Sequence, residues 1–131
     1  MIHIGFTGTQ QGMTQKQKDA LFVILRDCGT DFIFHHGDCL GADEEAHEIV
    51  RPFQGNWIVI HPPINEIKRA WFHGDEILKS KEYLVRNHDI VDACEVLIAA
   101  PKTDDEELRS GTWATVRYAR KQRRVVIILS P

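Results

Sequence analysis

Two hydrophobic periods take turns along this chain, one of two residues and one of three to four. Ile2-His3-Ile4-Gly5-Phe6 alternates like a strand and stops at the glycine-rich run Thr7-Gly8-Thr9-Gln10-Gln11-Gly12. Thr14 with Gln17 has the form of a capping box. It opens a helix whose Leu21, Ile24, Leu25 and Cys28 share one face, and Gly29 ends it. Phe32-Ile33-Phe34-His35 is an apolar run suited to a central strand covered on both faces. After the turn at Gly37 to Asp43, a helical stripe of Ala46, Ile49 and Val50 runs to Pro52. Trp57-Ile58-Val59-Ile60 reads as a third strand, closed by Pro62-Pro63. Residues 64–80 keep no lasting period, and a connection of that length is often functional or partly helical. A helix over 82–93 carries Tyr83, Asn87, Ile90, Val91 and Cys94 towards one side. Val96 to Ala100 is the fourth strand. Ser110-Gly111-Thr112 opens a last helix that packs through Trp113, Val116 and Ala119, and Val125 to Leu129 is the fifth strand. The order βαβαβ, irregular segment, αβαβ predicts a single Rossmann-like three-layer α/β/α domain over residues 1–131. Its sheet is expected to be mostly parallel and five-stranded, with right-handed crossovers.

Composition narrows the function classes. At 131 residues there is length for one domain, and 43% hydrophobic with 27% charged residues is ordinary for a globular protein. A net charge of −3 counts against a general nucleic-acid binder. No apolar run approaches a membrane span, and the N-terminus enters a strand pattern directly, so a cytoplasmic location is expected. Cys28, Cys39 and Cys94 form no CxxC or Cys/His finger spacing, which favours free thiols. Cys28 and Cys94 close apolar helical faces and read as core. Cys39 lies in the polar turn, where core packing and a chemical role both stay open. His35 and His36, adjacent in a strand, point to opposite faces and cannot readily chelate one ion. Neither a metal nor a cofactor is expected.

Three strand-to-helix junctions carry the candidate chemistry: Thr7-Gly8-Thr9-Gln10, Gly37 to Asp43, and Ser110-Gly111-Thr112. In a parallel sheet each follows a strand's carboxyl end, so all three share one edge. Glycines there allow close backbone approach, and helix N-termini offer unpaired N–H donors to a phosphate or carboxylate. Asp43, Glu44 and Glu45 at a helix start also suit simple capping. Asp38 and Asp43, nearer the glycines, can instead meet sugar hydroxyls, as acidic residues do in dinucleotide folds. His36 is placed for ligand contact or proton transfer. Arg86 reads equally as a solvated residue or a bidentate phosphate ligand. GFTGTQQG has neither the G-x-G-x-x-G spacing nor a Gly-Lys-Ser/Thr, which disfavours an NAD enzyme or a P-loop NTPase.

Taken together, G-F-T-G-T-Q at 5–10, H-G-D-C-L-G-A-D at 36–43, H-P-P at 61–63, R-N at 86–87 and S-G-T-W-A-T at 110–115 resemble the SLOG superfamily. That Rossmann-like group includes LOG-type nucleotide phosphoribohydrolases and the DNA-processing protein A domain; small bacterial and phage members are the nearest in pattern. The resemblance implies a nucleotide or nucleotide-derived ligand held by these loops, and often a homodimer. LOG-type hydrolases carry P-G-G-x-G-T-x-x-E with an upstream R-K pair. Here Gly111 and Thr112 match the G-T, Thr115 stands at the glutamate's position, and Arg86-Asn87 replaces R-K.

The expected ligand set is therefore Thr7, Gly8, Thr9, Gln10, His36, Gly37, Asp38, Cys39, Gly41, Ala42, Asp43, Arg86, Asn87, Ser110, Gly111 and Thr112. The first reading is a nucleotide-binding sensor or scavenger, with Arg86 and the first and last loops on phosphate and Asp38 and Asp43 on the sugar. The second is hydrolysis of the N-glycosidic bond of nucleoside monophosphates, with Asp38 or Asp43 as the catalytic acid. The third is single-stranded DNA binding, with stacking on Trp71 and the basic residues at 117–124. No membrane partner is expected.

Overall fold

The computed structural model describes residues 1–29 and 31–131. Strands β1 (Ile2–Gly8), β2 (Phe32–His36), β3 (Asn56–Ile60), β4 (Glu76–Ile77), β5 (Val96–Ala100) and β6 (Val125–Ile128) form one sheet in the order β4-β3-β2-β1-β5-β6. Every neighbouring pair is parallel. The sheet thus has six strands, not the five expected from the sequence. The extra one, β4, is two exposed residues long, too short to leave a periodic signal. It pairs through Val59↔Glu76 and Ile60↔Ile77. Strand β1 also runs two residues beyond its apolar pattern, because Thr7 and Gly8 pair with Ala99 and Ala100 of β5.

Alternation along the strands sorts the core into two layers. Ile4, Phe6, Phe32, Phe34, Ile58 and Ile60 face α1 (Gln15–Cys28) and α2 (Ala42–Val50), where Leu21, Leu25, Ala46 and Val50 complete a cluster. Phe6, Phe32 and Phe34 are fully buried, each worth ~1.5–3 kcal/mol of burial. The opposite layer joins Leu97 and Ala99 to α3 (Tyr83–Ala93) and α4 (Gly111–Lys121) through Ile90, Val91, Trp113, Val116 and Ala119. Three layers result, as the element order required. Helix α1 is capped as expected: Thr14 Oγ1 accepts from Gln17 N (3.1 Å), and Thr14 N donates to Gln17 Oε1 (3.0 Å). One expectation fails at its end. Cys28 is exposed, because it falls in the last turn where the helix leaves the sheet, whereas Cys94 is buried.

Residues 61–82 return from β3 to α3 through a single 3-10 turn at Glu66–Lys68 and the short β4. The first part crosses the carboxyl end of β2 as a strap, joined by an antiparallel bridge between Cys39 and Arg69. The chain leaves β1 on one side, through β2 and β3 to β4, and returns on β1's other side at β5. The order therefore reverses between β1 and β5, and the crevice beyond their carboxyl ends is where open α/β sheets hold ligands. Among the described residues, no helix is long and apolar enough to cross a membrane.

Candidate functional site

All three junction loops border this crevice, and backbone bonds tie the first to its neighbours on both sides. Thr9 N donates to Ala100 O (3.0 Å), which joins the first loop to the end of β5. Ala42 N donates to Thr9 O (3.0 Å), which joins it to the start of α2. Gly8 lies against the Ala42 methyl, so the loops are in contact without side-chain bulk between them. Glu44 and Glu45 are engaged in structure. Glu44 Oε1 accepts from Gly41 N (2.9 Å), while Glu45 accepts from Met13 N (2.6 Å) and pairs with Lys18 (2.9 Å).

Two cavities open between the loops. One of about 300 Å³ lies at the β1–β5 switch, lined by Gly8, Thr9, Gln10, Lys102, Ser110, Gly111 and Thr112 among others. Ser110 caps α4, its hydroxyl accepting from Trp113 N (3.2 Å), and the amides of the first helical turn have no partner within the helix. A second cavity, about 550 Å³, continues towards the strap over Cys39, Pro63, Asn65, Lys68, Tyr83 and Arg109. Gln10, Tyr83 and Gly111 line both, so they form one cleft. Gly111 is seated on the Tyr83 ring, where a β-carbon would collide with the hydroxyl.

Beneath the cleft is a small polar niche of about 10 Å³, bordered by Thr7, Gly37, Asp43, Arg86 and Asn87, with Gln10, Cys39 and Tyr83 at its mouth. Arg86 is no surface arginine: it is 3% exposed. Its Nη1 donates to Gly37 O (2.6 Å) and His61 O (3.2 Å), and its Cζ lies 4.9 Å from the Tyr83 ring centroid. Only glycine at 37 lets the guanidinium come so close. Asp43 Oδ2 accepts from Cys39 N (3.1 Å), and burial outweighs Arg86 in pushing its carboxyl up to about 6. Burial and then Asp43 raise the Cys39 thiol, which keeps it protonated and chemically quiet.

Four expected residues line neither cavity nor the niche: Gly41 and Ala42, which join the first loop to α2, and His36 and Asp38. His36 is fully buried on the α2 side, its Nδ1 accepting from Asp38 N (2.9 Å) and its Nε2 paired with His47 Nδ1 (2.9 Å). Asp38 is also fully buried, and both its oxygens are taken: Oδ2 by Arg69 Nε (3.0 Å) and Oδ1 by Phe72 N (3.1 Å). Its own carbonyl accepts from Ala70 N (2.7 Å), so Asp38 anchors the strap. Thr115, at the position of the resembling family's glutamate, is 2% exposed and donates its hydroxyl to Gly111 O (2.8 Å). Sequence reasoning had not assigned Tyr83, Lys68, Lys102 or Arg109 to the cleft. Tyr83 was within reach of it, since it lies one turn before Arg86-Asn87 on the same helix.

No family model and no curated protein matches the chain. Solved structures do. A molybdenum cofactor binding protein from Rippkaea orientalis superposes with a TM-score of 0.73 at 19% identity, over 97% of this chain and 75% of that one. The molybdenum cofactor carrier protein of Chlamydomonas reinhardtii gives 0.71 at 20% identity, over 98% and 76%. DNA processing protein A from Helicobacter pylori, described by its single-stranded DNA binding mode, gives 0.66 at 17%, over 97% of this chain and 64% of its own length. At these identities the likeness is one of fold alone: a Rossmann-like three-layer domain.

Proposed function

We propose that the chain binds a phosphorylated nucleoside or nucleotide-derived ligand in the cleft at the carboxyl edge of the sheet, as a sensor or scavenger. The observation that carries this reading is the meeting of two adjoining cavities with the capped N-terminus of α4 at the β1–β5 switch. The amides of Gly111 and Thr112, the helix dipole and Lys102 suit a phosphate in the smaller cavity. The larger cavity, with the half-exposed Tyr83 ring and cationic Lys68 and Arg109, suits the nucleoside. Arg86, expected on phosphate, instead lends its charge from below while its Nη1 holds two backbone carbonyls.

Two other readings have support of their own. For N-glycosidic hydrolysis, Asp43 is the remaining candidate acid, since both oxygens of Asp38 are engaged. For single-stranded DNA, Trp71 is 53% exposed with the Arg69 guanidinium 4.0 Å above its ring, and a structural neighbour binds such DNA.

The test is a thermal-shift and calorimetric screen of nucleoside mono-, di- and triphosphates, with DNA oligonucleotides and molybdenum cofactor as further arms. A bound nucleotide raises the melting temperature by mass action. Lys102→Ala and Arg109→Ala are expected to weaken it about 3- to 10-fold each, with the dependence on salt reduced. A shift with DNA or molybdenum cofactor and none with any nucleotide would reassign the cleft. Base release during the assay, abolished in Asp43→Asn, would establish the hydrolase.

A further inference from the structure

The niche beneath the cleft has walls that do not satisfy one another. Arg86 Nε and Asn87 Nδ2 are buried donors without a well-formed hydrogen bond, in residues only 3% and 6% exposed; the Asn87 side chain lies beside the Tyr83 hydroxyl without closing a bond of good geometry. Buried polar groups are normally paired, and two residues with orphaned donors bordering one space point to something that accepts from both. The third polar wall is an acceptor, the Asp43 carboxylate, whose Oδ2 takes Cys39 N and which keeps further lone pairs; the Thr7 hydroxyl beside it can turn to donate or accept and so favours neither. The volume, about 10 Å³, accommodates one oxygen atom with its hydrogen.

That inventory is selective. A hydroxyl has one hydrogen to donate and two lone pairs to accept with, which matches one acceptor and two donors. A phosphoryl or carboxylate oxygen brings no hydrogen for Asp43 and sets two negative charges side by side. An N–H group brings no lone pair for Arg86 and Asn87. Gln10, Cys39 and Tyr83 line both the niche and the larger cavity, so a group projecting from a ligand in that cavity reaches it without crossing the core. Gly37 keeps the guanidinium in place, because a β-carbon there would collide with it.

We propose, building on the nucleotide reading, that the ligand places one ribose hydroxyl in this niche, accepting from Arg86 Nε and Asn87 Nδ2 and donating to Asp43. The cleft therefore selects ribonucleotides over their deoxy counterparts. A site built to pair with a hydroxyl rejects the analogue lacking it, since the buried wall groups are then left without a partner.

The experiment measures calorimetric affinities of the full chain for adenosine and guanosine 5′-monophosphates beside their 2′-deoxy and 3′-deoxy counterparts. One of the two deoxy series is expected to bind about 10- to 100-fold more weakly than the ribonucleotides. Asn87→Asp keeps the side chain's size and turns its donor into an acceptor. In that variant the ratio is expected to shrink to about 2-fold or less, which a merely structural role for Asn87 would not cause. Where Asn87→Asp does not fold, Asn87→Ala serves for the same ratio. Equal affinities of ribo- and deoxyribonucleotides for the wild-type chain overturn the inference and leave nucleotide binding standing, the niche then being the place of a structural water. Binding of none of the six nucleotides overturns both.

Discussion

A buried carboxylate at the end of β2 shows how far local chemistry depends on residues distant in sequence. Asp38 sits at φ 52°, a left-handed conformation that Asp and Asn tolerate better than most side chains. Three of its atoms hold the strap, through Arg69, Ala70 and Phe72. Asp38→Ala removes the acceptors of Arg69 and Phe72 and places alanine at positive φ. It is expected to lower unfolding stability by roughly 2–4 kcal/mol. Asp38→Asn keeps the backbone preference and one acceptor, so it should cost about half as much. Urea unfolding of the two variants measures the difference, and equal losses would show that strap anchoring and conformation do not matter separately. In the sequence, an acid flanked by glycine at a strand end reads as a ligand contact. Nothing local reveals that its partner lies 31 residues on. Arg86 is a similar case: in the sequence it reads equally as a solvated residue or a phosphate ligand, and only the missing β-carbon of Gly37, 49 positions away, admits it to the interior.

Elements were more legible than residues, because periodicity integrates over many positions. The alternation of β1, the apolar runs of β2, β3 and β5, the capping box of α1 and the apolar faces of α3 and α4 all appear where the pattern placed them. From them followed the parallel sheet and the edge at which the candidate loops meet. What pattern could not supply was short or borrowed structure. Strand β4 has two residues and draws its hydrogen bonds from β3 rather than from any preference of its own. The strap has one 3-10 turn, and its course is set by Asp38 and the bridge to Cys39. The join between the first and second loops depends on Gly41, which precedes α2 at φ 92°. A β-carbon there would run into the backbone of Gln10, so Gly41→Ala must both strain its own backbone and push the first loop from the cleft. It is expected to lose about 2 kcal/mol or more of stability and to weaken ligand binding beyond that loss, because Gln10 lines both cavities. Binding unchanged in a folded Gly41→Ala protein would remove the first loop from the site.

Across the whole molecule, histidines bind three strands of the sheet together and give stability a direction in pH. His3 Nδ1, on β1, lies 2.8 Å from His35 Nε2 on β2, and His35 Nδ1 lies 2.9 Å from His61 Nε2 just beyond β3. On the other face His36 pairs with His47 of α2. Burial, then the neighbouring His61 and His3, lowers His35 to about 3. Burial also lowers His61 to about 4; Asp89 opposes this, whereas Arg86 and Lys81 add to it. His36 and His47 are lowered as well, chiefly by burial. A histidine whose folded pKa lies below its unfolded value of about 6.5 adds stability that is full above 6.5 and falls as pH drops towards the folded value. Asp43 works the other way. With its folded value raised to about 6, its ionised form costs stability above that pH, and the cost is relieved as pH falls from 6 towards 3.8. Each histidine contributes up to about 1.4 kcal/mol per pH unit in that window, and the single aspartate offsets at most about one of them. Between pH 6 and 4.5 the protein should therefore lose about 1–3 kcal/mol per pH unit, well before general acid unfolding of its surface carboxylates. His35→Gln keeps a side chain able to donate and accept between His3 and His61 but cannot take a proton, so it should flatten that slope by about one histidine. Urea unfolding at half-unit pH steps reads both slopes. A wild-type stability that stays level from pH 6.5 to 4.5 would mean that the paired imidazoles titrate in the folded chain as they do in the unfolded one.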